Sequence, residues 1–358
     1  MHTSSENIAI IRDLSNAFGP SGFEDDVVAV IRHHAKGLGI FEEDSLRNLY
    51  LYRKENTGNR PVLMLDAHSD ETGFMVHSIE TDGLLRFVQL GGWDKFTLSS
   101  NKVLVRNAEG AYITGILVSC PYHCMTPTER NQFQVDVAHL RIDIGASSRN
   151  EAIEKFKIRI GEPVAPATRF EIALAYNTMY GKAFDCRLGC AALLETLFRI
   201  EGEKLPFDIV AVFSAQEELG DRGCRVAVTR VKPQVAFCFE ACPADDVFSK
   251  EAQSALQHGP MMRFMDRSII TSPRYQRYVL DLAEKKHLQV QCAVKEHGGS
   301  NASVINTAYD GVPVVVAGIP VRYTHTCNCI AHYNDFEATV QLAVETIKSL
   351  SIEIISKF

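Results

Sequence analysis

From about residue 170 onwards, the sequence alternates between strand-like and helix-like segments, and this alternation restricts the fold most strongly. Apolar, β-branched runs such as "FDIVAVFSA" and "VPVVVAGIP" are separated by segments with helical spacing, such as "CRLGCAALLETLFRI". A strand that is apolar along its whole length is typical of a sheet that is buried on both faces. The pattern therefore predicts an α/β fold, with a mixed sheet flanked by helices.

The pattern changes between residues 72 and 168. Short alternating or β-branched runs, such as "GFMVHSIETDGLLRFVQLGGW" and "KVLVRNAEGAYITGILVSC", are divided by turn residues, as in a compact β-rich unit. The first 70 residues predict two helices followed by two strands, which suit the α/β part. The sequence thus predicts one α/β domain made of residues 1–71 and 169–358, with an inserted small β-barrel-like domain at 72–168.

Composition excludes several classes of partner. The formal net charge is −7 and the chain has no long Lys/Arg run, so neither nucleic acid nor an anionic membrane surface is expected to bind. No apolar stretch reaches the ~18 residues of a membrane span. The start, "MHTSSENIAIIRDL", lacks the features of a signal peptide. We therefore expect a cytoplasmic protein whose ten cysteines are reduced and serve mainly as small buried side chains.

Polar residues follow the apolar runs where the strands are predicted to end. Ligands of open α/β sheets bind beyond the carboxyl ends of the strands. The residues at these places are two histidines and five carboxylates: His68, Asp70, Asp185 (just before a helix), Glu217, Glu218, Glu240 and His325. A lone histidine or a Glu-Glu pair is usually structural or solvated. Their joint occurrence indicates nitrogen and oxygen ligands for zinc, cobalt or manganese.

This set is large enough for two metal ions. Two histidines, one for each ion, and three acids suffice if one carboxylate bridges, and ions ~3.5–4 Å apart clamp a hydrolytic transition state. Asp70 lies two residues after His68, so we expect it to accept a hydrogen bond from the ring nitrogen that does not bind metal. Glu217 and Glu218 are expected to diverge, so that one binds metal while the other acts as a general base.

The motifs of the chain occur in the order of a known family, essentially from end to end. They are "GPSGFEDDV", "DAHSDETGFMV", "GGWD", "PYHCMTPTER", "IDIGASS", "GKAFDCRLG", "SAQEELGDRGC", "FEACPADD", "GGSNAS" and "IPVRYTH". As a group they resemble the tetrahedral-assembly aminopeptidases, also called the glutamyl aminopeptidase family or metallopeptidase family forty-two. The resemblance implies a fold like that of the zinc peptidases and two divalent ions per subunit, with zinc first and cobalt or manganese as alternatives.

The resemblance assigns the ligands. His68, Asp185 and Glu240 would hold one ion. His325, Asp185 and Glu218 would hold the other, so that Asp185 bridges the pair.

The resemblance also implies a reaction. Glu217 would be the general base that takes a proton from the metal-bridging water and passes it to the leaving amine, while Asp70 would orient His68. The substrates would be short peptides, which lose their N-terminal residues. The β-rich insertion would help dimers to assemble into a hollow dodecamer.

Four departures from the family pattern occur at or near the predicted ligands. Glu240 stands where Asp is more frequent, Cys186 where Asp or Asn is usual, and Asn301 where Asp is common. The segment "TCNCIAH" after His325 also differs from the usual one. The ligand set survives, but no preference for a substrate side chain can be transferred.

Other functions remain open at this stage. The same site would suit a metal-dependent amidohydrolase that removes an acyl group from a non-peptide or N-acylated amide, because related folds host both chemistries. A glycosidase would need its two carboxyls ~5 Å or more apart across a sugar ring, which adjacent residues such as Glu217 and Glu218 do not easily provide. A non-catalytic assembly protein would leave the complete ligand set unexplained.

Overall fold

The structure is a computed structural model that describes residues 2–120, 122–128 and 136–358. Its strands, in chain order, are β1 (Gly39–Glu43), β2 (Leu49–Arg53), β3 (Val62–His68), β4 (Gly73–Ile79), β5 (Leu85–Leu90), β6 (Lys102–Arg106), β7 (Tyr112–Val118), β8 (Arg141–Asp143), β9 (Pro163–Pro166), β10 (Glu171–Ala173), β11 (Thr178–Gly181), β12 (Asp208–Ser214), β13 (Val235–Pro243), β14 (Met261–Met265), β15 (Gln291–Val294), β16 (Val314–Arg322) and β17 (Cys329–His332). Its α-helices are α1 (Ser4–Asn16), α2 (Asp25–His34), α3 (Arg149–Glu154), α4 (Phe184–Arg199), α5 (Arg222–Val231), α6 (Pro273–Lys285), α7 (Ala302–Asn306), α8 (Tyr333–Ser349) and α9 (Ile352–Ile355).

A mixed sheet of 11 strands forms the centre of the α/β part. Its order is β1, β2, β12, β3, β13, β16, β17, β11 and β10, with β14 paired to β16 and β15 paired to β14. The four central strands, β12, β3, β13 and β16, are parallel. Every residue of β12 is buried, as expected for a strand that is covered on both faces.

Helices cover both faces of this sheet. Leu63 and Leu65 of β3 belong to a buried cluster that includes residues of α1, α2, α4, α6 and α8. Met64, which points to the other face because side chains alternate along a strand, belongs to a second cluster with α5 and α7. The prediction of a mixed α/β sheet flanked by helices is therefore confirmed.

The inserted region forms a closed barrel. Strands β4, β5, β8, β7, β6 and β9 close in that order, between Gly73 and Pro166. The barrel has its own buried core, which includes Phe74, Leu117 and Ile142. The fold class with an inserted small barrel is confirmed, whereas the domain boundaries at 72 and 168 and the role in assembly stay predictions.

Two stretches of this region, the β-branched run "FQVDVAHLRIDIG" and the motif "PYHCMTPTER", extend beyond the described residues. Residues 133–135 of "FQVDVAHLRIDIG" lie outside them, as do residues 121, 129 and 130 of "PYHCMTPTER". In the described part of the first stretch, only the three residues of β8 form a strand.

Several elements differ from the sequence pattern for identifiable reasons. Strands β10, β11, β14 and β17 have three to five residues each, too short for a clear pattern. The segment "NDFEATVQLAVETIKSLSIEII" predicts one long closing helix, but α8 ends before Leu350, whose backbone is extended. Ser351 then caps α9 by accepting a hydrogen bond from the Ile354 amide. A serine that favours a cap thus divides an otherwise continuous helical pattern.

Two features bear on the expectations from composition. Among the described helices, none combines the length and the apolar character needed to cross a membrane. Seven of the ten cysteines are buried, namely Cys186, Cys190, Cys224, Cys238, Cys242, Cys327 and Cys329. Their reduced state stays a prediction.

Candidate metal centre

The seven side chains singled out in the sequence lie together at the carboxyl edge of the parallel strands. His68 ends β3, where it is in register with Ser214 at the end of β12. Glu240 lies in β13, and His325 follows β16 after a short turn. The turn after β12 carries Glu217 and Glu218, and Asp185 reaches the same place from the start of α4. This is the edge where parallel sheets usually bind ligands.

Asp185 lies between the two histidines. Its Oδ1 is 3.0 Å from Nε2 of His68, and its Oδ2 is 3.4 Å from Nε2 of His325. Burial alone would raise the pKa of Asp185, but the hydrogen bonds with His325 and His68 outweigh burial and hold this pKa below its ordinary value. A carboxylate that presents one oxygen to each histidine is suited to bridge two cations.

Separate carboxylates accompany each histidine. Nε2 of His68 is 3.6 Å from Oε1 of Glu240, and Nε2 of His325 is 3.5 Å from Oε1 of Glu218. Among the described residues, the possible ligand atoms lie within 4.8 Å of one another in each of three groups. One group contains His68, Asp185, Cys186 and Glu240, another contains Asp185, Glu218 and His325, and the third contains His68, Glu217 and Glu218.

The two adjacent glutamates lie beside different histidines, although one carboxylate oxygen of each also lies within 4.8 Å of the other and of a ring nitrogen of His68. Oε2 of Glu217 lies 3.8 Å from Nε2 of His68, whereas Glu218 faces His325. Burial raises the pKa of Glu218 to about 8, although the positive charge of His325 opposes this effect. Burial also raises the pKa of Glu217 well above its ordinary value, against the effect of His68. So much buried negative charge is costly without cations, and these nitrogen and oxygen donors fit a pair of divalent ions.

Asp70 links His68 to the turn after β12. Its Oδ1 is 3.2 Å from Nδ1 of His68 and accepts a hydrogen bond from the Glu217 amide at 3.0 Å. Its Oδ2 accepts from the Ser21 hydroxyl at 2.6 Å and from the Glu218 amide at 3.2 Å. Burial would raise the pKa of Asp70, but its hydrogen bond with His68 contributes most to lowering this pKa. One buried carboxylate thereby orients both the imidazole and the glutamate turn.

The ligand cluster opens into a cavity of about 710 Å³, a volume typical of small-molecule sites. Two cations line it, and both are already paired. Arg263 donates to Asp266 at 2.9 Å, and Lys295 donates to Asp245 at 2.9 Å. The wall therefore offers ion pairs rather than free positive charge.

A buried ion network behind the centre was not found from the sequence. Both oxygens of Glu71 accept hydrogen bonds from Lys182, at 2.5 and 2.7 Å, and Arg187 lies 3.5 Å away. Lys182 and Arg187 flank Asp185 in the sequence, and Glu71 follows Asp70, so the network ties together two ligand-bearing segments. Charged side chains ordinarily lie at the surface, and the signal that the sequence offers is the position of Lys182 and Arg187 on either side of Asp185.

One departure from the family pattern proves to be internal. Asn301 is 2% exposed, and its Nδ2 donates to Asp66 at 2.9 Å and to Ser214 at 2.7 Å. Asn301 is not among the residues that line the cavity. This departure therefore alters the support of the sheet edge rather than the surface that faces a substrate.

The chain is similar to known proteins over nearly its whole length. A family model described as M42 glutamyl aminopeptidase matches residues 48–342. The glutamyl aminopeptidase of Lactococcus lactis is 29% identical, over 96% of this chain and 96% of its own. A TET aminopeptidase from the marine sediment archaeon Thaumarchaeota archaeon SCGC AB-539-E09 is 32% identical, with a TM-score of 0.94 over 98% of this chain and 99% of its own.

A further solved structure bears on assembly. The TET1 peptidase of Pyrococcus horikoshii is described as assembling into a tetrahedron or a large octahedral shell. It is 26% identical, with a TM-score of 0.85, and the match covers 96% of this chain and 100% of that protein.

Proposed function

We propose that this chain uses two divalent ions to remove N-terminal residues from short peptides. The chain belongs to the M42 glutamyl aminopeptidase family and is a metal-dependent aminopeptidase. The observation that carries the proposal is the position of Asp185. One of its oxygens faces His68 and the other faces His325, and each histidine has a further carboxylate beside it.

This arrangement supports the following ligands. His68, Asp185 and Glu240 would hold one ion, and Asp185, Glu218 and His325 would hold the other. When bound, the two ions polarise the scissile carbonyl and acidify the attacking water. Zinc is the first choice for these nitrogen and oxygen donors, with cobalt or manganese as alternatives.

Glu217 is the proposed general base. Its carboxylate takes a proton from the attacking water while the water oxygen bonds to the carbonyl carbon of the first peptide bond. Glu217 then delivers this proton to the amine nitrogen as the carbon–nitrogen bond breaks, so that one group serves both steps. Asp70 contributes by holding the Glu217 amide and the imidazole of His68 in fixed positions.

We also propose a homo-oligomer. The similar TET1 peptidase can assemble into a tetrahedron. A dimer on each edge of a tetrahedron gives a dodecamer. We assign a role in this assembly to the barrel domain at 72–168. The cytoplasmic location stays a prediction from the sequence.

The test of the reaction uses aminoacyl p-nitroanilides and their N-acetylated counterparts. The protein is stripped with a chelator and refilled with zinc, cobalt or manganese. Cleavage of only the free-amine substrates, restored by metal, is the expected result. Release of acetate from the blocked substrates, with the anilide bond left intact, would instead support the deacylase.

The test of the base is Glu217→Gln. We expect turnover to fall by roughly 10²–10⁴-fold, because the glutamine cannot accept the proton, while calorimetry still finds two bound ions. Glu296→Gln is the matched control, since Glu296 lines the same cavity but is exposed and lies outside the ligand groups. Retained turnover in Glu217→Gln would contradict the proposed mechanism.

A further inference from the structure

Four consecutive backbone amides in the turn after β12 donate to buried side chains from distant parts of the chain. The donors and acceptors are Ala215 to Asn48 Oδ1 (2.9 Å), Gln216 to Glu24 Oε1 (3.1 Å), Glu217 to Asp70 Oδ1 (3.0 Å) and Glu218 to Asp70 Oδ2 (3.2 Å). Side chains from three separate segments therefore hold the turn that carries the proposed base.

The turn needs such support because its backbone is unusual. Gln216 has a φ of 56°, in the left-handed region that residues with a side chain rarely adopt. Conformations of this kind persist only when the surrounding structure imposes them. The amide of Gly223 at the start of α5 closes the turn by donating to the Ala215 carbonyl at 3.0 Å. A Cβ at position 223 would lie 2.2 Å from that oxygen, so only glycine fits.

Glu24 is unusual among these acceptors. Its side chain is fully buried, and its Oε1 accepts hydrogen bonds from the amides of Gly22 and Gln216. Its Oε2 is buried and has no hydrogen-bond partner among the described residues. A buried carboxyl with one unpartnered oxygen destabilises a fold. Glu24 also makes no cap to the helix that follows it and belongs to none of the ligand groups found in the described residues.

We propose that Glu24 is a positioning residue for the reaction, which fixes Glu217 by holding the Gln216 amide. The inference rests on the role proposed above for Glu217. Glu24 touches neither substrate nor ion. It acts through the backbone of the turn, because the orientation of the Gln216 amide determines where the backbone of Glu217 begins. A small displacement of a reacting group costs far more rate than stability.

Three substitutions of Glu24 distinguish the effect of its hydrogen bond to the Gln216 amide from the effect of burying a side chain there. Glu24→Ala removes the hydrogen-bond acceptor. Glu24→Asp keeps the carboxyl group but moves it away from the Gln216 amide, because the side chain is one methylene shorter. Glu24→Gln retains an oxygen at the same reach. Burial raises the pKa of Glu24 to about 8, so the neutral amide of glutamine is also a close match in charge.

Asp335 provides the matched control. It is 1% exposed and accepts two backbone amides, from Gln257 at 2.7 Å and from Gly259 at 2.8 Å, outside the ligand groups. Asp335→Ala should therefore impose a comparable loss of stability without moving the turn.

The expected result is a fall in kcat of roughly 10- to 100-fold for Glu24→Ala and Glu24→Asp. KM and the number of bound ions should stay unchanged. Glu24→Gln should stay within about twofold of the unchanged protein, and Asp335→Ala should keep its kcat. Hydrogen exchange should speed up over residues 212–224 in the first two variants alone. If Glu24→Ala does not fold, Glu24→Asp decides.

Two outcomes would overturn the inference. One is an unchanged kcat in Glu24→Asp, and the other is an equal loss of kcat in Asp335→Ala, which would reduce the effect to general destabilisation. The failure of the proposed function is a separate result, because it would appear as retained turnover in Glu217→Gln. Hydrogen exchange over the turn would then still report whether Glu24 holds it.

Discussion

The two halves of the proposed metal centre use the same residue types but are built differently. His68 is the last residue of a central strand, its side chain is 2% exposed, and Asp70 holds its second ring nitrogen. His325 lies in a loop with a φ of 59°, and its side chain is 38% exposed. Groups on strands keep their positions better than groups on loops. We therefore expect the half with His68 to be preformed and the half with His325 to be adaptable.

Replacement of each histidine gives the largest expected effects. His68→Ala and His325→Ala should each lower turnover by roughly 10²–10⁴-fold, because one ion stabilises the transition state by several kcal/mol. The two variants should differ in the free energy of unfolding of the metal-free protein. His68→Ala should cost about 1–3 kcal/mol, since buried carboxylates lose a partner. His325→Ala should cost less, because its side chain is 38% exposed and solvent screens its contacts with Asp185 and Glu218. Equal losses of unfolding free energy in the two variants, measured by urea titration, would contradict this difference between the two halves.

Replacement of Asp70 tests the same difference between the two halves, because Asp70 is the hydrogen-bond partner of His68. Asp70→Asn should weaken the binding of the ion on the His68 side by about 10- to 100-fold, because the imidazole loses its charged acceptor. The binding of the ion on the His325 side should be weakened less, because only the Glu218 amide contacts Asp70 on that side. Calorimetric titration with zinc measures both steps, and Asp335→Asn serves as a control with another buried carboxylate. An equal weakening of both steps would show that the halves are not independent.

Removal of metal by a chelator gives the smallest expected effect. The ion beside His325 should leave about tenfold faster than the other, because its ligands include a partly exposed loop residue. Metal content followed over time should show two phases, and the loss of activity should track the first. In His325→Ala only the slow phase should remain. A single phase in the unchanged protein would contradict the prediction.

The sequence predicts the parts of this molecule that depend on local pattern. Continuous apolar runs predict the parallel strands, and the rule that ligands bind at their carboxyl ends brings His68, Glu240 and the glutamate pair to one edge before any coordinates are known. The family match confirms the resemblance that the ordered motifs indicate. The individual roles of these residues stay predictions.

The supporting residues escape prediction because they act across long separations in sequence. Glu24 is 192 residues away from its partner Gln216, and Asn48 is 167 residues away from Ala215. Glu24 also stands among acids that suit the start of a helix, and this local explanation conceals its distant contact. Lys182 is similar, since a lysine with charge and flexibility ordinarily lies at the surface. Periodicity carries no information about such pairs.

The strand order of the sheet has a consequence for biosynthesis. Strand β12 lies between β2 and β3, two strands that leave the ribosome well before it. Glu24, Asn48 and Asp70 are likewise translated long before the turn that they hold. Since domains generally fold as units during synthesis, a chain that ends before β12 has a gap in its sheet and lacks the turn with Glu217. Because His325 is translated later still, we expect peptidase activity only after most of the chain has been made.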